Sequence, residues 1–140
     1  MKQVKKYFPL VLRLIAAVIL LQTLTFKFSA HPDSVYIFST VGLEPFGRIG
    51  IGILELIAAG LLLFRRTAWA GGILGWGLMN GAIFFHLTNL GIVVNGDGGL
   101  LFALAVTVWV SCLAIIFIYR KEIPIVGKYF LGLSKSNSLA

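Results

Sequence analysis

The sequence predicts an all-α membrane protein: a four-transmembrane-helix bundle with a short interfacial helix in the first loop. Three observations carry that prediction. Of 140 residues, 59% are hydrophobic and 12% charged, about half the charged share of a soluble domain (roughly 25%). The apolar residues gather in four runs near spanning length. The basic residues stand at the ends of those runs. So short a chain cannot bury this much apolar surface in a soluble core, and its length allows about one domain.

The first run covers residues 8–28. It follows Lys2-Gln3-Val4-Lys5-Lys6 as the hydrophobic region of a signal peptide would. It is close to full spanning length and no Ala-x-Ala site ends it, so a retained span is expected. Pro9 suits a first helical turn. Arg13, near the inner end, is expected to snorkel to headgroups. Gln22, Thr25 and Ser29 share a face at the other end, where Gln22 and Thr25 suit interhelical hydrogen bonding.

Residues 29–46 form a loop bracketed by Pro32 and Pro45. Asp33 or Ser34 is the expected cap of a short helix that Gly42 ends. That helix is too short to span and carries aromatics, which places it in the interface.

The second run, residues 47–64, stops at Arg65-Arg66-Thr67. Arg48, Gly52, Glu55 and Ala59 fall on one stripe of a helix. Glu55 is the most anomalous residue of the chain, because a carboxylate at that depth is costly unless paired or protonated. One reading is an Arg48–Glu55 ion pair tying this helix to its neighbours. The other is a functional carboxyl that exchanges a proton or contacts a ligand.

The third run covers residues 68–94. Gly71 and Gly75, and Gly77 and Gly81, are two small-xxx-small pairs that allow close helix approach. Met79, Ala82, His86 and Asn89 share a face. His86 admits three readings: a hydrogen-bonded packing residue, a proton or quinone contact, or a metal ligand. Asn95-Gly96-Asp97-Gly98-Gly99 is a turn with two candidates for positive φ. It lacks the ligand spacing and closing glutamate of a calcium loop.

The fourth run covers residues 100–119, with Ala103, Thr107, Ser111 and Ala114 as its expected packing stripe. Arg120-Lys121 end it. In the tail, residues 120–140, the amphiphilic stretch Ile123 to Leu131 is expected to rest on the membrane, and Ser134 to Ala140 to be disordered.

Ten basic residues (Lys2, Lys5, Lys6, Arg13, Arg65, Arg66, Arg120, Lys121, Lys128 and Lys135) fall on one side of this topology, against Lys27 and Arg48 on the other. The positive-inside rule puts that side, and both termini, in the cytoplasm of a bacterial inner membrane. The net charge of +7 therefore reads as topology. No basic patch interleaved with aromatics points to nucleic acid. The single cysteine, Cys112, excludes an intramolecular disulfide, a CxxC pair and a cysteine-based zinc site.

Apart from the basic flanks, the polar groups collect in the outer half, and a bundle would bring them together under the first loop. The candidate site is Glu55, Arg48 and His86 as a proton or headgroup site. Gln22, Thr25, His31, Asn89 and Asp97 are the further candidate ligand contacts. His31, His86 and a carboxylate have no diagnostic metal spacing, so no metal is assigned. No hydrolase elbow, nucleotide loop or thiol pair is present; Gly50-x-Gly52 lacks the third glycine and the preceding strand of a dinucleotide fingerprint.

The segments His31-Pro32-Asp33-Ser34-Val35, Gly42 to Gly50, Glu55-Leu56-Ile57-Ala58-Ala59, Gly81 to Leu87 and Asp97-Gly98-Gly99, taken together, resemble the DoxX-like family of small bacterial membrane proteins. The resemblance spans nearly all of residues 20–120. It implies a four-helix transmembrane unit, and Arg48, Glu55, His86 and Asp97 match family positions. The family's name comes from a subunit associated with thiosulfate:quinone oxidoreduction.

The resulting expectation is a membrane subunit or accessory protein linked to quinone, redox or proton chemistry at an outward-facing polar site. Its partners would be the lipid bilayer and a redox or assembly protein, with self-association a further option. The chain has no obvious electron carrier of its own, so a partner or bound cofactor such as a quinone would be required. The competing readings are a non-catalytic anchor or assembly factor of a larger complex and, third, a small-solute or lipid transporter, for which four helices are few and no inverted repeat is apparent.

Overall fold

The computed structural model describes residues 1–128. Helix α1 spans Lys2–Phe28, α2 Pro32–Thr40, α3 Phe46–Leu63, α4 Ala68–Phe85 and α5 Leu100–Ile118. A π-helical turn, His86–Leu90, extends α4, and short 3₁₀ turns follow α3 and α5. There are no strands among the described residues.

Four helices, α1, α3, α4 with its extension, and α5, are long and apolar enough to cross a membrane. Their arrangement follows from which faces are small. Helix α1 packs on α3 and α5, and α4 packs on the same two helices. The ring order is therefore α1, α3, α4, α5. The short α2 touches α1, α3 and the π turn, lying across one end. That end is called the loop end here; the other, with the N-terminus and Arg65–Thr67, is the basic end.

The core runs from the basic end to the middle of the bundle, where Ala16, Ala17, Leu20, Ala58, Ala59, Leu62, Val108, Cys112 and Ile115 are essentially inaccessible. Large apolar side chains such as Val18, Leu56, Phe84 and Phe117 point outward, the inverse of a soluble bundle. Gly71 sits at a tight seam with α3, because a Cβ there would lie 2.8 Å from the Leu62 nitrogen. A Cβ at Gly75 would lie 2.8 Å from Cys112 Sγ. This pair lets α4 wedge between α3 and α5. The second pair does not act this way, since nothing lies within 4 Å of a Cβ at Gly77 or Gly81.

Several expectations are corrected. Helix α1 begins at Lys2, so Pro9 sits inside the helix rather than at its start; so near the N-terminus it removes one backbone bond. Arg13 does not snorkel. It is buried, and its Nε donates to the Leu62 carbonyl at 2.7 Å while Nη2 donates to Leu63, capping the C-terminus of α3. His31 caps α2, its Nδ1 accepting from the Asp33 amide at 3.3 Å. The third span ends at Leu90, where Gly91 takes φ +79, so residues 91–94 are loop. The turn that follows has four positive-φ residues, Asn95, Gly96, Gly98 and Gly99. On α5 the packing stripe is Ala105, Val108, Ser111, Cys112 and Ile115; of the expected stripe Ser111 is buried, Ala114 is half-buried, and Ala103 and Thr107 are exposed. Residues 124–128 form a helical turn, and the remainder of the expected amphiphilic tail, with 134–140, lies outside the described residues.

Candidate functional site

The site is built where α1 meets α3 at the loop end. Gly52 permits the approach: a Cβ there would stand 2.9 Å from the Phe28 ring. The last turn of α1 therefore lies directly against the second turn of α3. Lys27 Nζ reaches Glu55 Oε2 at 2.9 Å, and Thr23 Oγ1 lies 3.1 Å from the same oxygen, its one proton shared between it and the Leu20 carbonyl at 2.8 Å. Glu55 is 4% exposed, so this ammonium is the countercharge that makes its burial tolerable.

Arg48 does not pair with Glu55. Its Nε donates to both carboxylate oxygens of Glu44 at 2.9 Å, and Nη2 approaches Oε1 at 2.9 Å. Its Nη1 donates to the Lys27 carbonyl. The predicted stripe does face α1, with Arg48, Gly52, Glu55 and Ala59 all buried. The partners of its two charges differ from those expected because Lys27 comes from another helix and Glu44 from the loop. Two cations and two carboxylates thus balance across the α1–α3 seam.

On the opposite side of the ring, the π turn carries His86 inward. His86 is 6% exposed and its ring stands edge-on to Phe102 at 5.6 Å. Nδ1 lies 2.8 Å from the Gly91 carbonyl. A carbonyl only accepts, so Nδ1 carries a proton and, in the neutral ring, Nε2 is left as an acceptor.

Asp97 organises the neighbouring loop. Oδ1 accepts from the amides of Val94 at 2.9 Å and Gly99 at 2.8 Å, and Oδ2 from Leu101 at 2.9 Å. The Leu101 amide, at the first turn of α5, is the strongest of the influences that hold this carboxyl below its usual range, against a smaller opposing desolvation. Asn95 Nδ2 donates to Asp33 Oδ1 at 2.9 Å, fastening the loop to α2.

These elements line a partly open cavity of about 600 Å3 inside the ring at the loop end. Its walls are mostly apolar, including Leu20, Phe38, Met79, Phe85, Leu104 and Val108, with Gly81 leaving room on α4. Of the predicted site residues, the cavity brings together Gln22, Glu55, His86 and Asp97. It does not include Arg48, Thr25, His31 or Asn89. Thr25 is exposed and donates to the Gln22 carbonyl. Asn89 is exposed and accepts from Thr88. Lys27 and Thr23 line the cavity beside Glu55 and were not among the predicted site residues. A lysine in the last turn of an apolar helix was a signal for Lys27; Thr23 gave none. Among the described residues, no three His, Cys, Asp or Glu side chains are grouped to hold a metal ion.

No family model, curated protein or solved structure matches this chain. The chemistry of the cavity is therefore argued from its own walls. A volume of several hundred cubic ångströms, apolar walls and a few convergent polar groups suit a lipophilic molecule with a small hydrogen-bonding head.

Proposed function

We propose that this protein is a multi-pass protein of the bacterial inner membrane, with both termini in the cytoplasm, that binds a lipophilic ligand with a polar head in the loop-end cavity. A quinone is the ligand class, and the protein serves as a membrane subunit or accessory of redox or proton chemistry. The observation that carries the reading is the cavity itself: about 600 Å3 of mostly apolar lining with the Lys27–Glu55 pair and His86 in its walls. The orientation rests on the basic residues at one end. The redox link rests on the resemblance to the DoxX-like family at Arg48, Glu55, His86 and Asp97.

In this reading the residues divide the work. Lys27 and Thr23 hold Glu55 in one position. Glu55 and the ammonium of Lys27 offer an acceptor and a donor to the ligand head. His86, its Nδ1 fixed by the Gly91 carbonyl, offers Nε2 as acceptor, or as donor when protonated. Arg48 is a positioning residue that holds the end of α1, and hence Lys27, against α3. A bound quinone would supply the electron chemistry, and a partner the electrons.

Titration of the detergent-solubilised protein with a short-chain quinone tests this, read as thermal stabilisation. A ligand at about 100 times its Kd stabilises by about 2.7 kcal/mol. Gly81→Leu fills the cavity without meeting backbone, since nothing lies within 4 Å of a Cβ there. Stabilisation of the native chain and its loss in Gly81→Leu are expected. Equal response of both chains, or of neither, would shift the reading to the non-catalytic anchor.

A further inference from the structure

A second hollow lies at the basic end, remote from the cavity just described. It is a cleft of about 540 Å3 whose walls include Lys5, Lys6, Leu10, Arg13, Arg65 and Ile118. Four of its wall residues are cations, and Glu122 is the one carboxylate among them. Glu122 stands 4.0 Å from Arg65 and both are exposed, a pair that offsets little of the positive charge. Lys6 rests over the Tyr7 ring at 5.5 Å, which positions the ammonium and leaves its charge intact. Lys5 has no acidic partner among the described residues.

Arg13 gives the cleft its floor. It is 7% exposed, and its Nε and Nη2 are held by the Leu62 and Leu63 carbonyls. Among the described residues Nη1 has no acceptor. A fixed guanidinium on the cleft wall thus has donors left over. Beside the cations the wall turns apolar, with Leu10 and Ile118 each 40% exposed on the outward surfaces of α1 and α5.

We propose that this cleft binds an anionic glycerophospholipid, its phosphate among Lys5, Lys6, Arg65 and the free edge of Arg13, its acyl chains running along Leu10 and Ile118. Several cations around a fixed guanidinium suit a phosphate. Basic pockets between spanning helices are where anionic headgroups are held. A free phosphate could use the cations but not the apolar wall. This inference rests on the membrane-spanning reading and is independent of what the other cavity holds.

The test is native mass spectrometry of the full chain in mild detergent with dioleoylphosphatidylglycerol or dioleoylphosphatidylcholine. One bound phosphatidylglycerol in preference to phosphatidylcholine is the expected result. Lys5→Gln/Lys6→Gln/Arg65→Gln should weaken retention at least tenfold, since each basic residue near an anionic headgroup contributes roughly fivefold. All three side chains are exposed, so the fold should survive. Lys2→Gln/Arg66→Gln/Lys121→Gln removes the same charge from exposed positions off the wall and should retain the lipid. Equal retention of the two lipids, or equal losses in the two triple variants, would overturn the site. Displacement of the lipid by sn-glycerol 3-phosphate at comparable concentration would overturn the lipid as the source of the phosphate. A chain that stays soluble after detergent removal would contradict the membrane reading itself, and is observed before any lipid is added.

Discussion

Lys27 and Glu55 are a pair that neither residue's own helix specifies. Each is 13% exposed or less, so removing one partner leaves a buried charge uncompensated. Loss of one member of a buried ion pair costs about 3–5 kcal/mol. Lys27→Met should therefore lower the unfolding free energy by about 3 kcal/mol in detergent, read from thermal or denaturant unfolding. Lys27→Met/Glu55→Gln should recover most of the loss, because the orphaned carboxylate is gone. A double variant no better than the single would show that Lys27 acts only through packing. Asp97 supports a prediction in pH. Its folded value lies below the ordinary 3.8, so its contribution is complete above that value and is lost as pH falls through the lower folded value. Amide exchange at Leu101 should accelerate, beyond its intrinsic change, as the pH drops below 3.8. Asp97→Ala should show the open behaviour at neutral pH, at a cost of about 1 kcal/mol, the usual worth of a cap.

At the scale of elements, α1 and α3 are joined by a reciprocal clasp. Arg13 of α1 caps the last carbonyls of α3, and Arg48 of α3 caps the end of α1 at the Lys27 carbonyl. Each cation sits at the negative end of its neighbour's dipole. Arg13→Met should cost about 2 kcal/mol, the range of charged hydrogen bonds at a partly buried helix end. Arg13→Lys should rescue little, because one ammonium cannot span two carbonyls as a planar guanidinium does. Unfolding of the two variants in parallel checks both statements. The glycines of α4 give a contrast. Gly75→Ala forces a Cβ to 2.8 Å from Cys112 Sγ and should destabilise, whereas Gly77→Ala meets nothing within 4 Å and should be neutral or slightly stabilising, since alanine is the better helix former. The stripe Arg48-Gly52-Glu55-Ala59 was readable because its anomalies repeat at helical spacing. The packing face of α5 was readable only at Ser111, because that helix is apolar on every side and small residues alone do not distinguish an outward face from a packed one. The two glycine pairs look alike in sequence; only the positions of α3 and α5 separate them.

The whole molecule is divided along its length. Alanines, Leu62 and Ile115 fill the basic end, while the loop end stays hollow under α2, with Leu20 among the cavity walls. The four long apolar helices and the gathering of polar groups at one end were legible, since they depend on run length and on where polar residues interrupt apolar ones. The composition of the site was only partly legible. Glu55, His86, Gln22 and Asp97 do meet at one cavity, but the partners of Glu55 come from α1, at separations no helical period encodes. His31 and Thr25 are spent on local bonds because a side chain beside a helix end finds backbone groups first. Arg13, which looked like a headgroup anchor alone, has Nε and Nη2 taken by a helix end brought to it by the fold, and only its remaining edge faces the cleft.

On the proposed function, the loop-end cavity holds a lipophilic ligand with a polar head. The most direct measurement is mass spectrometry of organic extracts from the chain purified in mild detergent, beside Glu55→Gln, His86→Ala and Gly81→Leu. A quinone-class molecule near one per chain is expected, strongly depleted in Gly81→Leu and reduced in the two polar variants. No enrichment over detergent-matched controls, or the same amount in Gly81→Leu as in the native chain, would contradict it.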